Sequence, residues 1–143
     1  MSDLSALVEC AAFTTWTQDI ARYADTDRQG HLNNAVFSTF LESGRVALLY
    51  DPARKLVPAG HEFVIARLTM DFRAEMSWGG AVEIGTVVRR LGRSSFVLGQ
   101  GIFQGGVCAA SAETIMVLVD DTTRRSVPLP EGLRVVLEGY ARS

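Results

Sequence analysis

Hydrophobic and polar positions along the chain change their period several times, and each change predicts an element. From Phe13 to Tyr23, β-branched and aromatic residues dominate (Phe13, Thr14, Thr15, Trp16, Thr17, Ile20, Tyr23), which predicts a first strand. From Asn33 or Asn34 to Leu49 the period lengthens. Val36, Phe37, Phe40, Leu41, Gly44, Ala47 and Leu48 recur at three- and four-residue steps and give a helix with one broad apolar face. An asparagine suits its start, because the side-chain oxygen can accept a backbone N–H that has no partner inside the helix. Asp51-Pro52 stops it, since a residue before proline avoids the helical region.

Beyond a loop with Pro58, Gly60 and His61, alternation of period two takes over. Phe63 to Phe72 reads as a strand with Phe63, Ile65, Arg67, Thr69 and Asp71 on one side. Trp78-Gly79-Gly80 breaks the pattern. Ala81 to Arg90 sets Val82, Ile84, Thr86 and Val88 against Glu83, Gly85, Val87 and Arg89. Ser94 to Phe103 and Val107 to Val119 follow, joined by a hairpin loop at Gln104-Gly105-Gly106. Glu131 to Tyr140 predicts a short terminal helix. Residues 1–10 show no clear period and predict a frayed end or a short turn. One long helix among five mostly antiparallel strands is an α+β arrangement, and nothing along residues 1–143 suggests a second domain.

The totals narrow the function classes. At 143 residues the chain can bury one core. A net charge of −2 gives no case for nucleic acid, whose binders carry a basic face. No apolar run reaches the roughly 18–20 residues of a membrane helix, and the first residues lack the basic start of a signal peptide. Cys10 and Cys108 are far apart, which favours reduced, packed thiols over a disulfide, with the cytoplasm as the default compartment. No metal-ligand motif is present.

Chemistry concentrates in one string, Asp25-Thr26-Asp27-x-x-Gly30-His31-Leu32-Asn33-Asn34-x-x-Phe37-x-x-Phe40-Leu41-Glu42-x-x-Arg45. It resembles the motif of hotdog-fold thioesterases of the 4-hydroxybenzoyl-CoA thioesterase type. Asp71-Phe72, Trp78-Gly79 and Arg90-Leu91-Gly92-Arg93-Ser94-Ser95-Phe96 extend the resemblance over nearly the whole chain. It implies a long central helix wrapped by the sheet, hydrolysis of acyl-CoA thioesters, and a homodimer with sites at the subunit interface, often paired again into a homotetramer. No cofactor is implied, since CoA is part of the substrate.

The resemblance also assigns roles. Asp27 matches the catalytic aspartate, acting as general base or nucleophile; its plain alternative is a solvated loop acid or a helix cap. Asn34, seven residues on, matches the backbone N–H that steadies the oxyanion. Thioester hydrolysis needs both an attacking group and such donors. Asn33 and Asn34 would serve equally as helix caps, with Asn33 beside the substrate. His31 would position water or meet the substrate carbonyl, or else bond a local carbonyl. Glu42 is the rival catalyst, as a second branch of these enzymes uses a helix glutamate; otherwise it pairs with Arg45 at i, i+3. Phe37 departs from the pattern, which often has tyrosine there. Arg89, Arg90, Arg93, Ser94 and Ser95 fall where the family meets the CoA nucleotide, and an arginine fork suits phosphate; a solvated basic turn is the alternative. Gly92-Arg93-Ser94-Ser95-Phe96 lacks the last glycine of a serine-hydrolase elbow. Two other readings stay open: an enoyl-CoA hydratase or dehydratase of the same fold, whose aspartate and histidine usually stand at another spacing, and an acyl-CoA-binding module without turnover.

Overall fold

The computed structural model describes residues 3–141. Five strands form one antiparallel sheet in the order β1-β3-β4-β5-β2. They are β1 (Thr15–Ile20), β2 (His61–Phe72), β3 (Ala81–Leu91), β4 (Ser95–Gln104) and β5 (Val107–Asp120). Helix α1 (Asn34–Leu49) lies across one face, over β1, β3 and β4, and α2 (Glu131–Gly139) closes one end. This is the expected α+β arrangement of a helix wrapped by a sheet.

The helix begins where the asparagines predict. The Asn33 side chain accepts the Ala35 N–H at 2.8 Å, which makes Asn33 the cap and Asn34 the first helical residue. Phe37, Phe40 and Leu41 pack with Ile84, Ile102 and Ala110 in one core, and Leu48 and Leu49 pack with Phe96, Leu98 and Leu118 in a second. Gly44 sits between them at the point of closest approach. A Cβ there would stand 2.6 Å from Gln100 Nε2 and 2.7 Å from Ile84 Cγ2. The sequence therefore needs a glycine for the helix to reach the sheet.

Two expectations about the strands are corrected. The first strand is shorter than predicted: Tyr23–Asp25 form a 3-10 turn, closed by the Asp25 carboxylate accepting from the Arg22 backbone and side chain. The side assignment in β2 fails after Ile65, because a bulge between Ile65 and Arg67 shifts the alternation by one. Leu68, Met70 and Phe72 thus join Phe63 and Ile65 on the helix side. Of the two readings of residues 1–10, the described part takes the short turn, with Leu7 N–H donating to the Leu4 carbonyl and Cys10–Ala12 in a 3-10 turn, while Met1 and Ser2 lie outside the described residues. Leu4, Leu7 and Phe13 are buried on the outer sheet face with Val87 and Phe103. Phe13 lies on Gly85 and Gly101, where Cβ atoms would come within 2.5 and 2.7 Å of its ring. Three anchors at uneven spacing on a floor of glycines leave no period in the sequence.

The thiols are free. Cys108 is half-buried, but Cys10 is exposed, against the expectation that both are packed.

Candidate active site

Residues 25–34 form a closed turn that ends on the helix tip. Asp25 is buried against Arg22, whose guanidinium holds its carboxyl below the ordinary value. The Asp25 carbonyl accepts the Asn33 N–H at 2.8 Å, tying the start of the turn to the cap. Between them the Asp27 N–H donates to the His31 carbonyl at 2.8 Å, and Gly30 takes φ +80°, a conformation glycine adopts without strain. Leu32 anchors the turn: its side chain is buried and its N–H donates to the Met76 carbonyl.

Asp27 is exposed at the rim of this turn. Its Oδ1 accepts from the Gln29 N–H at 2.8 Å and the His31 N–H at 3.2 Å. Among the described residues nothing bonds Oδ2. One oxygen therefore fixes the carboxylate while the other stays available. Asn34 N–H is the first amide of α1 and has no acceptor among the described residues, as helix geometry dictates for a first-turn donor.

Asp27, His31 and Asn34 line one cleft of about 400 Å³. Its other wall is the end of β2 and the loop that follows: Phe72, Arg73 and Glu75. Phe72 is edge-on to Phe37 at 5.1 Å, so an apolar floor adjoins the carboxylate. His31 bonds Glu75, Nε2 to Oε2 at 3.1 Å, rather than a local carbonyl, and its Nδ1 is buried without a partner among the described residues. Arg73 is held by Ser111 Oγ at 2.8 Å and the Leu4 carbonyl at 3.2 Å. Glu75 and Arg73 carry no motif in the sequence. Only the antiparallel pairing of β2, with Phe72 opposite Ala110, brings them to the helix tip.

The remaining predicted residues lie elsewhere. Asn33 adjoins the cleft as the helix cap. Glu42 is exposed two turns along α1. Its expected ion pair with Arg45 is not formed, because Arg45 turns inward and reaches Gln100 Oε1 at 3.5 Å. Arg89, Arg90, Arg93, Ser94 and Ser95 flank the β3–β4 turn, beside the core at the far end of α1, so a single chain does not bring them to Asp27. Arg89 is already engaged, with Glu113 at 2.9 Å and the Asp3 carbonyl at 2.9 Å. Arg90 and Arg93 stay exposed. Among the described residues no cluster of three or more His, Cys, Asp or Glu could hold a metal, and no helix is long and apolar enough to cross a membrane.

Solved structures share this architecture. A protein from Pseudomonas aeruginosa strain PAO1 superposes with a TM-score of 0.83 at 23% identity, over 93% of this chain and 95% of that one. A predicted thioesterase from Bacillus stearothermophilus gives 0.80 at 28% identity, over 90% and 96%. A thioesterase from Thermus thermophilus, complexed with coenzyme A and zinc, gives 0.76 at 28% identity, over 90% and 95%. No curated protein matches the chain. Residues 21–137 match the family model of the Thioesterase-like superfamily, and the chain belongs to that superfamily.

Proposed function

We propose that the protein is an acyl-CoA thioesterase of the 4-hydroxybenzoyl-CoA thioesterase type, with Asp27 as its catalyst. The observation that carries this reading is the shared cleft: it is lined both by Asp27, one of whose oxygens has no partner among the described residues, and by Asn34, whose N–H has no acceptor among them. In the general-base form, Asp27 Oδ2 takes a proton from water as the water oxygen bonds the thioester carbon. The carbonyl oxygen gains charge and is held by the Asn34 N–H; the C–S bond then breaks and the CoA thiolate takes up the proton. In the nucleophilic form Asp27 itself bonds the carbon, CoA leaves, and water opens the acyl anhydride. Both forms draw on the same donor, and loss of one such donor costs about 3 kcal/mol of barrier in other enzymes.

His31, oriented by Glu75, places water or donates to the carbonyl. Glu42, two turns deeper, is the alternative catalyst. The working unit is a homodimer, or two dimers paired into a homotetramer, acting in the cytoplasm without a resident cofactor. In that dimer the basic turn at Arg90 and Arg93, with Ser94 and Ser95, meets the CoA nucleotide from the partner of the chain that supplies Asp27. The coenzyme A held by the Thermus thermophilus thioesterase supports a ligand of this class.

The reading is tested by following CoA release from a panel of acyl-CoAs with the purified protein. Release of CoA from at least one is expected. Hydration of an enoyl-CoA without CoA release would establish the hydratase reading instead, and tight acyl-CoA binding with neither reaction would establish a binding module.

A further inference from the structure

Arg45 is a buried cation that forms no ion pair among the described residues. It is 6% exposed, on the inner half of α1, and its one hydrogen bond among the described residues is the long contact to Gln100. Gln100 in turn spends its donors on the Leu41 carbonyl and Thr86 Oγ1. Thr114 shares the helix side of the sheet, on the next such row from the Gln100–Ala112 pair, and its fully buried Oγ1 has no partner among the described residues. A guanidinium with five donors is costly to bury without acceptors. Burial holds the Arg45 pKa below its ordinary value, with the nearby Glu42 charge opposing the shift.

The direction Arg45 faces follows from the other flank of the helix. Ser43 Oγ donates to Asp19 Oδ2 at 2.8 Å, so that flank lies over β1. Arg45 is about 200° further round, toward β5 and β2, with Glu42 about 60° beyond it toward solvent. There α1 leaves the sheet open. Ile65, Leu68 and Phe72 on the helix side of β2 are 49%, 37% and 52% exposed. The free backbone edge of β2 lies next to them, at the end of the sheet. A long apolar edge strand is ordinarily covered.

A two-fold contact that pairs β2 with its symmetry mate along its whole length has its axis at the middle of the strand. Just past the middle of β2, Arg67 and Leu68 pair with Ile115 and Thr114, and these pair with Val97 and Leu98. Leu98 packs with Leu48, one turn from Arg45. An axis through the middle of β2 therefore lies beside the C-terminal half of α1, about one turn from Arg45.

We propose that this flank of α1 is half of a two-fold interface in which Glu42 of one copy pairs with Arg45 of the other, and the reverse. The surface is self-complementary, as a two-fold contact requires: it carries an exposed carboxylate and an acceptor-starved cation three residues apart that do not satisfy each other. The inference rests on the homodimer of the proposed function, and adds the residues that set its register.

The test is a dilution series followed by sedimentation velocity, which yields a dimer dissociation constant for the wild type, Glu42→Gln, Glu42→Arg, Arg45→Glu and the exchanged pair E42R/R45E, with folding checked by circular dichroism. Glu42 is exposed, so its variants keep the fold even if Arg45→Glu alone does not. Glu42→Arg is expected to weaken the dimer by about tenfold or more, Glu42→Gln by less, and the exchanged pair to recover most of the loss. A Glu42→Arg constant within twofold of wild type, or an exchanged pair no tighter than Glu42→Arg, would overturn the pairing and leave the dimer standing. A wild type that stays monomeric throughout would overturn the dimer itself.

Discussion

Asp27 and His31 close on each other twice: the Asp27 N–H donates to the His31 carbonyl at 2.8 Å, and the His31 N–H donates back to Asp27 Oδ1 at 3.2 Å. The second bond uses one carboxylate oxygen as part of the turn. The carboxylate is thereby oriented before any substrate arrives, and the entropy of fixing it is already spent in folding. The same turn carries His31 to Glu75 and ends in the Asn33 cap, so the candidate acid and the candidate amide donor are placed by one short, internally bonded segment.

Asp25 sets the first half of that segment, and its charge gives the turn a pH dependence. Arg22 holds the Asp25 carboxyl below the ordinary 3.8, so the native state favours the ionised form. The contribution is complete above 3.8 and is lost as pH falls through the lower native value. Asp25→Asn is expected to cost about 1 kcal/mol at pH 7, since Arg22 is largely solvent-exposed. Urea denaturation of both proteins at pH 7 and near pH 3 checks this: the gap should narrow in acid.

Two glycines on helices should respond to alanine with opposite signs. At Gly44 a methyl group meets Gln100 Nε2 and Ile84 at under 3 Å, and overpacking of this kind costs about 1–3 kcal/mol. At Gly132, in α2, nothing lies within 4 Å, and removing backbone freedom stabilises by about 0.4–1 kcal/mol. Thermal melts of Gly44→Ala and Gly132→Ala should shift down and up respectively.

Phe13 is the main anchor of the segment before β1. Its ring meets Trp16 at 5.5 Å and Phe103 at 5.9 Å, both edge-on, and fills the space above Gly85 and Gly101. Phe13→Ala is expected to destabilise by about 3–5 kcal/mol in urea denaturation. A loss under 1 kcal/mol would show that residues 3–13 contribute little to the outer sheet face.

How legible each feature was depends on how local it is. Asn33, the Val36–Phe37 and Phe40–Leu41 steps and Asp51-Pro52 specify α1 within 20 residues, and the helix falls at Asn34–Leu49 as the pattern predicts. Asp27, His31 and Asn34 converge for the same reason, being neighbours on one turn. Glu75 and Arg73 arrive through strand pairing, which residue type does not encode. The bulge after Ile65 reverses the sides of β2 because alternation carries no marker for an extra residue. The Glu42–Arg45 spacing permits an ion pair on an isolated helix but says nothing of Gln100, which draws Arg45 inward. The Arg89–Ser95 hairpin reads as basic and turn-like, yet the end of the sheet it occupies depends on the order of all five strands.

The most direct measurement is the rate of CoA release by Asp27→Asn, on whichever acyl-CoA the wild type hydrolyses fastest. Asparagine keeps an oxygen to accept the Gln29 and His31 amides, so the turn survives and only the ionisable oxygen is lost. A fall in kcat of about 10²–10⁴-fold with an unchanged melting curve is expected. A variant that folds as the wild type does and releases CoA at the wild-type rate would contradict catalysis by Asp27.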